Sequence, residues 1–148
     1  METDSELLPE TETDIPCDWF RKGLRILVAE DNQVTQFVMQ IMIEKMGLEC
    51  MIAADGLEAL TLLRMTDYDL VLMDCQMPEM DGYETTRAIR AHPGKDQQNI
   101  PIIAITGNAS AGDREKCAGA GMNGYLAKPI EPVALFQMLK DWLPPEIR

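Results

Sequence analysis

The chain alternates between short continuous apolar runs and longer stretches with helical periodicity. Five apolar runs, each bounded by polar or turn-forming residues, predict β-strands: RILVA (25–29), ECMIAA (49–54), DLVLM (69–73), PIIAIT (101–106) and GYLA (124–127). The runs are continuous rather than alternating apolar and polar, as expected for strands that helices cover on both faces. We therefore expect a parallel sheet.

The segments between the runs have the spacing of amphipathic helices. Two sets of apolar residues recur at i, i+3, i+4 and i+7: Val34, Phe37, Val38 and Ile41, and then Leu135, Met138, Leu139 and Trp142. Each set predicts an apolar stripe that packs on the sheet. Two capping-box-like pairs mark helix starts: Asp55 with Glu58, and Ser110 with Asp113.

Repeated strand and helix units predict a doubly wound open sheet, because right-handed crossovers place helices on both of its faces. In such sheets the ligand site lies beyond the carboxyl ends of the strands. Five polar residues stand at these ends in the sequence: Glu30, Asp31, Asp74, Thr106 and Lys128. We expect them to converge at one edge of the sheet.

This set of residue types indicates a metal-assisted phosphoryl transfer. Three carboxylates that lie close together repel one another unless a cation neutralises them, and Mg²⁺ prefers oxygen ligands of this kind. Asp74 ends the most apolar strand and precedes a loop containing Pro and Gly, CQMPEMDG. A carboxylate in that position can attack phosphorus to form an aspartyl phosphate. Lys128 supplies a mobile positive charge, and Thr106 a hydroxyl that can donate to a phosphoryl oxygen.

The bulk composition limits the classes of function. The 148 residues are 46% hydrophobic, which is enough for the core of one domain. The formal net charge is −12 without a basic block, so we expect no binding to nucleic acid and no direct membrane contact. The four cysteines lie far apart, which argues against a zinc site or a disulfide framework. We expect a soluble cytoplasmic domain, which could be excised from a larger protein attached to the inner membrane.

The N-terminal residues differ from the rest of the chain. Seven acids and no Lys or Arg lie among the first twenty residues, where apolar residues are few. Such a composition buries too little surface to offset the entropy of ordering. We predict a flexible acidic leader or interdomain linker over residues 1–22 and a folded domain over residues 23–148.

The strand-end residues lie in four blocks that resemble the signature blocks of response-regulator receiver domains of two-component systems. In order, the blocks are ILVAEDN (26–32), DLVLMDCQMPEMDG (69–82), PIIAITGNA (101–109) and GYLAKPI (124–130). The surrounding sequence is most similar to receivers of hybrid sensor histidine kinases. We therefore predict an α/β fold with a doubly wound five-stranded parallel sheet and five helices, flavodoxin-like with strand order 2-1-3-4-5.

The resemblance implies a role for each candidate residue. A metal would be bound by Glu30, Asp31, Asp74 and the backbone carbonyl of Gln76. The remaining roles are those of Asp74 as phosphoacceptor, Lys128 as the lysine that contacts the phosphoryl group, Thr106 as switch hydroxyl and Tyr125 as switch aromatic. One position departs from the family pattern: Gly107 stands where Ala is most common. That departure leaves the lifetime of the phosphorylated state open, as does the influence of Gln76 and Asn108.

The implied function is a step in a phosphorelay. A histidine kinase or histidine phosphotransfer domain would donate a phosphoryl group from phosphohistidine to Asp74, with Mg²⁺ as cofactor and Mn²⁺ as the alternative ion. The domain would catalyse its own phosphorylation and dephosphorylation, change conformation, and exist as a monomer or a weak phosphorylation-dependent dimer. It would be either a stand-alone receiver or the receiver of a hybrid histidine kinase.

The same residues allow other interpretations. A phosphorylation-independent docking module is disfavoured by the intact acidic pair, acceptor, Thr and Lys, and an aspartyl phosphatase would need a cap for which the chain has no room. Tyr125 could equally be a core aromatic. GAGMNG (119–124) matches GxGxxG but follows a helix, so we expect its glycines to end that helix. His92 is expected in a surface loop.

Overall fold

The fold is described by a computed structural model over residues 10–92, 96–107 and 110–146. Five strands alternate with five helices within these ranges. The strands are β1 (Arg25–Ala29), β2 (Glu49–Ala53), β3 (Leu70–Asp74), β4 (Ile102–Thr106) and β5 (Gly124–Ala127). The helices are α1 (Gln33–Lys45), α2 (Gly56–Met65), α3 (Gly82–Arg90), α4 (Ala111–Ala120) and α5 (Pro132–Trp142). The predicted strands are confirmed to within one residue at each end.

The five strands form one sheet in the order β2-β1-β3-β4-β5, and every neighbouring pair is parallel. This confirms the predicted doubly wound fold and its strand order. Successive side chains of each strand point to opposite faces, so the sheet has two apolar faces to cover. On one face α1 and α5 pack against Ile26, Leu72 and Ile103. On the other face α2, α3 and α4 pack against Leu27 and Val71.

The predicted helix ends are confirmed where the sequence marked them. The side chain of Asp55 accepts a hydrogen bond from the Glu58 amide, and that of Ser110 accepts one from the Asp113 amide. Gly121 ends α4 with a left-handed backbone (φ +104°), which glycine adopts without steric cost. That finding agrees with the role expected for this glycine of GAGMNG. No helix among the described residues is long and apolar enough to cross a bilayer.

The predicted packing of α1 is wrong. Its expected sheet-facing residues are on the solvent side, with exposures of 73% for Val34, 64% for Phe37, 44% for Val38 and 39% for Ile41. The buried side of α1 carries Met39, Met42 and Ile43 instead. The helix has two apolar stripes, and periodicity alone does not tell which one faces the sheet. For α5 the prediction holds better, because Leu135 and Leu139 are buried and Met138 is partly buried, whereas Trp142 is exposed.

Part of the segment predicted as a flexible leader packs against the core. Residues 1–9 lie outside the described part, but Ile15, Trp19 and Phe20 pack against the cluster beneath α1 and α5. Phe20 is only 3% exposed and forms an antiparallel bridge with Pro145. We refer to residues 10–22 as the N-terminal strap. Local composition does not indicate this packing, because the strap's few apolar side chains contact helices that are distant in sequence.

Aromatic contacts attach the strap to α5. The ring of Phe136 meets those of Trp19 and Phe20 edge to face, with centroids 6.1 and 5.5 Å away. Lys140 Nζ lies 4.8 Å from the Trp19 ring centroid. The strap also passes close to Gly47, whose φ is +84° and where a Cβ would collide with the carbonyl oxygen of the strap's Cys17. These contacts attach the aromatic end of the strap to the domain core.

Phe20→Ala is expected to lower the free energy of unfolding by about 3 kcal/mol, since it removes a buried aromatic ring and leaves a cavity. Phe37→Ala is the matched control, because the same substitution at an exposed site should change stability by less than about 0.5 kcal/mol. Urea denaturation of both variants measures the difference. Equal destabilisation would show that the strap does not contribute to the core.

Candidate functional site

The fold brings the predicted strand-end residues together at one edge of the sheet. Asp74 is the last residue of β3, and Thr106 is the last residue of β4. Glu30 directly follows β1, and Lys128 directly follows β5. Asp74 pairs in register with Ile105, which places it one position from Thr106 across the strands. The convergence expected from the parallel topology is confirmed.

The site contains three clustered carboxylates. Each of Glu30, Asp31 and Asp74 offers one oxygen, and these oxygens all lie within 4.8 Å of one another. Glu30 is 1% exposed and Asp74 is 3% exposed, whereas Asp31 is open to solvent. Buried carboxylates at this spacing repel each other in a medium that screens poorly. The cluster therefore requires positive charge nearby.

Lys128 provides part of that charge. Its Nζ lies 3.3 Å from Asp74 Oδ2 and 3.4 Å from Glu30 Oε1, and its side chain is about one-third exposed. Burial lowers the pKa of Lys128, but the carboxylates of Asp74 and Glu30 outweigh that effect and raise it overall. The lysine therefore stays charged and bridges the two buried acids.

One positive charge does not fully satisfy the cluster. Burial raises the pKa of Glu30 to about 7, and the neighbouring Asp74 adds to the rise, while the amide of Asn32 and the charge of Lys128 oppose it. Glu30 Oε1 is buried and makes no hydrogen bond among the described residues. A buried carboxylate oxygen with only the Lys128 ammonium nearby and an exposed carboxylate beside it match the oxygen ligands that a hard divalent cation prefers. The residues present fit a metal ion.

The β1–α1 loop is held by its own hydrogen bonds. Gln36 of α1 donates its side-chain amide to the carbonyl of Glu30 at 2.7 Å, and the Asn32 amide donates to Glu30 Oε2 at 3.1 Å. Asn32 also caps α1 by accepting from the Thr35 amide. These bonds fix the acidic pair at the start of the helix. Sequence reasoning missed Gln36, because its role depends on where the helix side chain meets the loop.

The β3–α3 loop is fixed just as closely around Asp74. Asp74 Oδ1 accepts a hydrogen bond from the Gln76 amide at 3.1 Å. The Gly82 amide donates to the carbonyl of Cys75 at 3.1 Å, and a Cβ at Gly82 would collide with the Asp74 carbonyl oxygen. Glycine is therefore required where α3 begins. Gln76, the predicted backbone ligand, lies in the loop that follows Asp74 directly.

A cleft of about 440 Å³ opens beside the carboxylates. Its lining includes Asp31, Gln76 and Thr106 together with Tyr83 and Lys116. Lys116 Nζ lies 4.8 Å from the centroid of the Tyr83 ring. The site is thus accessible from solvent, as a reaction with a second molecule requires. Tyr83 and Lys116 were not singled out from the sequence, since they come from α3 and α4 rather than from strand ends.

The two predicted switch residues lie on neighbouring strands, where Tyr125 of β5 pairs with Ala104, two residues before Thr106. Thr106 is 6% exposed, and its strand pairs with β5, which carries Tyr125. Tyr125 is partly buried, packs against the core cluster of α2, α3 and α4, and has the Arg114 guanidinium 4.9 Å from its ring centroid. These contacts are compatible with both the core role and the switch role. Asn108 lies outside the described residues, and the exposed His92 lies beyond α3, away from the carboxylates.

Comparison with known proteins agrees with this geometry. The family model of the response regulator receiver domain matches residues 26–140. "Histidine kinase 1" of Arabidopsis thaliana is 38% identical over 143 residues, covering 74% of this chain but only 12% of the kinase. The chain therefore spans a small part of this curated relative.

Two solved structures extend the comparison. The receiver domain of the sensor histidine kinase PA1611 from Pseudomonas aeruginosa, which has a magnesium ion in its active-site cleft, is 45% identical with a TM-score of 0.74; the match covers 81% of this chain and 97% of that one. The receiver domain of Saccharomyces cerevisiae Ssk1, in complex with the histidine phosphotransfer protein Ypd1, is 28% identical with a TM-score of 0.76, covering 83% of this chain and 90% of that one. With five parallel strands in the receiver order and acids and a lysine at their carboxyl ends, this chain belongs to the response regulator receiver domain family of two-component phosphorelays.

Proposed function

We propose that this receiver accepts a phosphoryl group on Asp74 from a partner's phosphohistidine in a Mg²⁺-dependent reaction. The observation that supports this most is the position of Asp74. Its carboxylate is buried at the end of a central strand, lies 3.3 Å from Lys128 Nζ, and shares a cluster with two further acids beside an open cleft. No purely structural role explains three acids and a lysine converging at this edge.

Glu30, Asp31, Asp74 and the backbone carbonyl of Gln76 would hold the magnesium ion, with Mn²⁺ as the alternative. When bound, the ion supplies positive charge that offsets the carboxylates and the transferring phosphoryl oxygens. The buried Glu30 Oε1 without a hydrogen bond supports this assignment, because an ionised oxygen there needs a positive partner beyond Lys128.

In the transfer step an oxygen of Asp74 attacks the phosphorus in line with the nitrogen of the partner's phosphohistidine. The new O–P bond forms as the P–N bond breaks, and the electron pair of that bond returns to the imidazole. Lys128 remains within reach of the phosphoryl oxygens and stabilises their charge. Water attack on the same phosphorus would later regenerate the carboxylate, so the domain catalyses both its phosphorylation and its dephosphorylation.

The switch would run from Thr106 to Tyr125. Once phosphate is installed, the Thr106 hydroxyl donates to a phosphoryl oxygen, and Tyr125 turns into the space that this movement vacates. Arg114, now stacked on the Tyr125 ring, would lose that contact, and the surface of α4 and β5 would change. Thus the local charge change alters a surface that other domains can recognise.

The setting of the domain also belongs to this proposal. We expect a cytoplasmic receiver, either stand-alone or part of a hybrid histidine kinase, that is a monomer or a weak phosphorylation-dependent dimer. The similarity to curated histidine kinases supports the hybrid kinase as parent.

The exposed apolar stripe of α1 is the docking surface that this proposal assigns to the phosphohistidine partner. Val34, Phe37, Val38 and Ile41 stand on it, and α1 starts two residues after Asp31. A contiguous exposed apolar face of this kind is typical of a protein–protein interface. A partner lying along α1 would therefore have its histidine within reach of the phosphoacceptor edge.

Incubation with phosphoramidate and Mg²⁺ should label the unmodified chain with one acyl phosphate that hydroxylamine cleaves. Asp74→Asn should abolish this label, because the amide is a poor nucleophile, and Asp67→Asn should leave it unchanged. Intact-protein mass spectrometry measures the label. A hydroxylamine-sensitive phosphate that persists in Asp74→Asn would refute the acceptor assignment.

Magnesium should stabilise the folded chain by mass action, by about 2.7 kcal/mol at a concentration one hundred times its dissociation constant. Asp31→Asn should lose most of this gain, because it removes the exposed ligand, while Asp67→Asn should retain it. Thermal unfolding with EDTA and with increasing MgCl₂ measures the effect. An undiminished magnesium-dependent shift in Asp31→Asn would place the ion elsewhere.

Phe37→Ala should slow transfer from a phosphorylated histidine phosphotransfer domain by roughly ten-fold, as expected for an aromatic anchor in an interface. Transfer from phosphoramidate should be unchanged, because the small donor needs no docking surface. Leu57→Ala, an exposed apolar truncation on α2, is the matched control. Equal effects of the two substitutions on transfer from the partner would argue against the α1 surface.

A further inference from the structure

The N-terminal strap forms a groove with α1 and α5. This groove has a volume of about 240 Å³ and is lined by Glu12, Thr13 and Ile15 of the strap, Met42, Lys45 and Met46 of α1, and Pro132 of α5. Its floor is apolar, because Met42 and Met46 are buried. Its rim carries the charged side chains of Glu12 and Lys45. A groove of this size accepts one large apolar side chain.

The groove is continuous with the exposed stripe of α1. Val34, Val38, Ile41 and Lys45 follow one another at i, i+4, i+7 and i+11, so they lie on one face of the helix. Lys45 is therefore both the last position of that face and a lining residue of the groove. The surface that begins beside the phosphoacceptor edge thus ends against the strap.

The strap gives this surface a negatively charged wall. Glu10, Glu12, Asp14 and Asp18 are all exposed, and no Lys or Arg occurs before Arg21. Glu10 and Glu12 have no ion-pair partner among the residues that the structure describes. The strap that carries these acids is attached to the core through Ile15, Trp19 and Phe20. Of these acids, Glu12 lines the groove itself.

We infer that the strap and α1 together form one composite docking surface, and that it selects a phosphohistidine partner whose docking helix combines an apolar face with a basic flank. This inference rests on the proposed function and names its partner's chemistry. The apolar face lies along α1 and places one large side chain in the groove, while Lys or Arg side chains of the flank face Glu10 and Glu12. A partner with an acidic flank is repelled by the same wall.

The test uses the full 148-residue chain and a panel of purified, phosphorylated histidine phosphotransfer domains, of which the one that transfers fastest is the probe. Glu10→Lys/Glu12→Lys should slow transfer from the probe at least about five-fold at low salt, and the difference should shrink as salt screens the charges. Asp67→Lys/Glu115→Lys is the control. It makes the same change in net charge at exposed positions, Asp67 before β3 and Glu115 on α4. It should stay within about two-fold of the unmodified chain.

A second variant tests the groove independently of charge. Thr13→Trp fills the groove from its exposed strap side and should also slow transfer at least about five-fold, because it blocks the partner's anchoring side chain. Thr61→Trp, at an exposed position of α2, is the matched control. Labelling of all variants by phosphoramidate should be unchanged, which shows that they are folded and keep an intact acceptor site.

Each of three results would overturn the inference, and they refute respectively the role of the strap, the class of partner and the acceptor. If the strap variants match their controls, the strap is not part of the docking surface. If phosphoramidate labels Asp74 but no phosphotransfer domain does, the assigned class of partner is wrong. If phosphoramidate gives no label at Asp74, the proposed function itself fails, and the inference fails with it.

Discussion

The electrostatic balance at the carboxyl edge of the sheet is the constraint on which the rest of the structure depends. Glu30 and Asp74 are almost completely buried, and each lies within 3.4 Å of the same lysine nitrogen. Removing one member of such a cluster leaves uncompensated buried charge, which costs more free energy than the pair contributes by forming. In the function that we propose, the same arrangement would receive further positive charge and then a phosphoryl group.

The fold supplies this arrangement through ordinary backbone geometry. Parallel strands end at a common edge, so residues far apart in sequence meet there without a dedicated loop scaffold. The two loops that carry the acids are then fixed by short hydrogen bonds, from Gln36 to the Glu30 carbonyl and from the Gln76 amide to Asp74. Gly82, the first residue of α3, lies in close contact with the Asp74 backbone. A rigid platform beneath an open cleft is the result.

The opposite end of the domain is organised by aromatic packing rather than charge. Trp19, Phe20 and Phe136 join the entering chain to the last helix, and the bridge from Phe20 to Pro145 brings the two ends of the described chain side by side. As a result, the residues that precede β1 and those that follow α5 lie next to each other. The strap also shares a groove with Lys45, an exposed residue of α1. The strap is therefore adjacent to the surface to which we assign partner docking.

The sequence by itself determined the strands, their parallel arrangement and the convergence of the strand-end residues. These properties follow from local patterns: continuous apolar runs predict covered strands, and polar residues at their ends must meet once the sheet is parallel. The resemblance to receiver domains added a role for each residue. The helix caps at Asp55 and Ser110 were equally local, since a cap joins residues only three positions apart.

Only the tertiary structure decided which face of α1 is buried and which residues before β1 pack against the core. Helix α1 has two apolar stripes of similar spacing, and in the folded chain Met39 and Ile43 join the core cluster while Val34 and Phe37 stay exposed. Trp19 and Phe20 are isolated apolar residues in an acidic segment, so no local pattern indicates their burial. Their partners lie more than a hundred residues away, and contacts at that separation are fixed by packing rather than by periodicity.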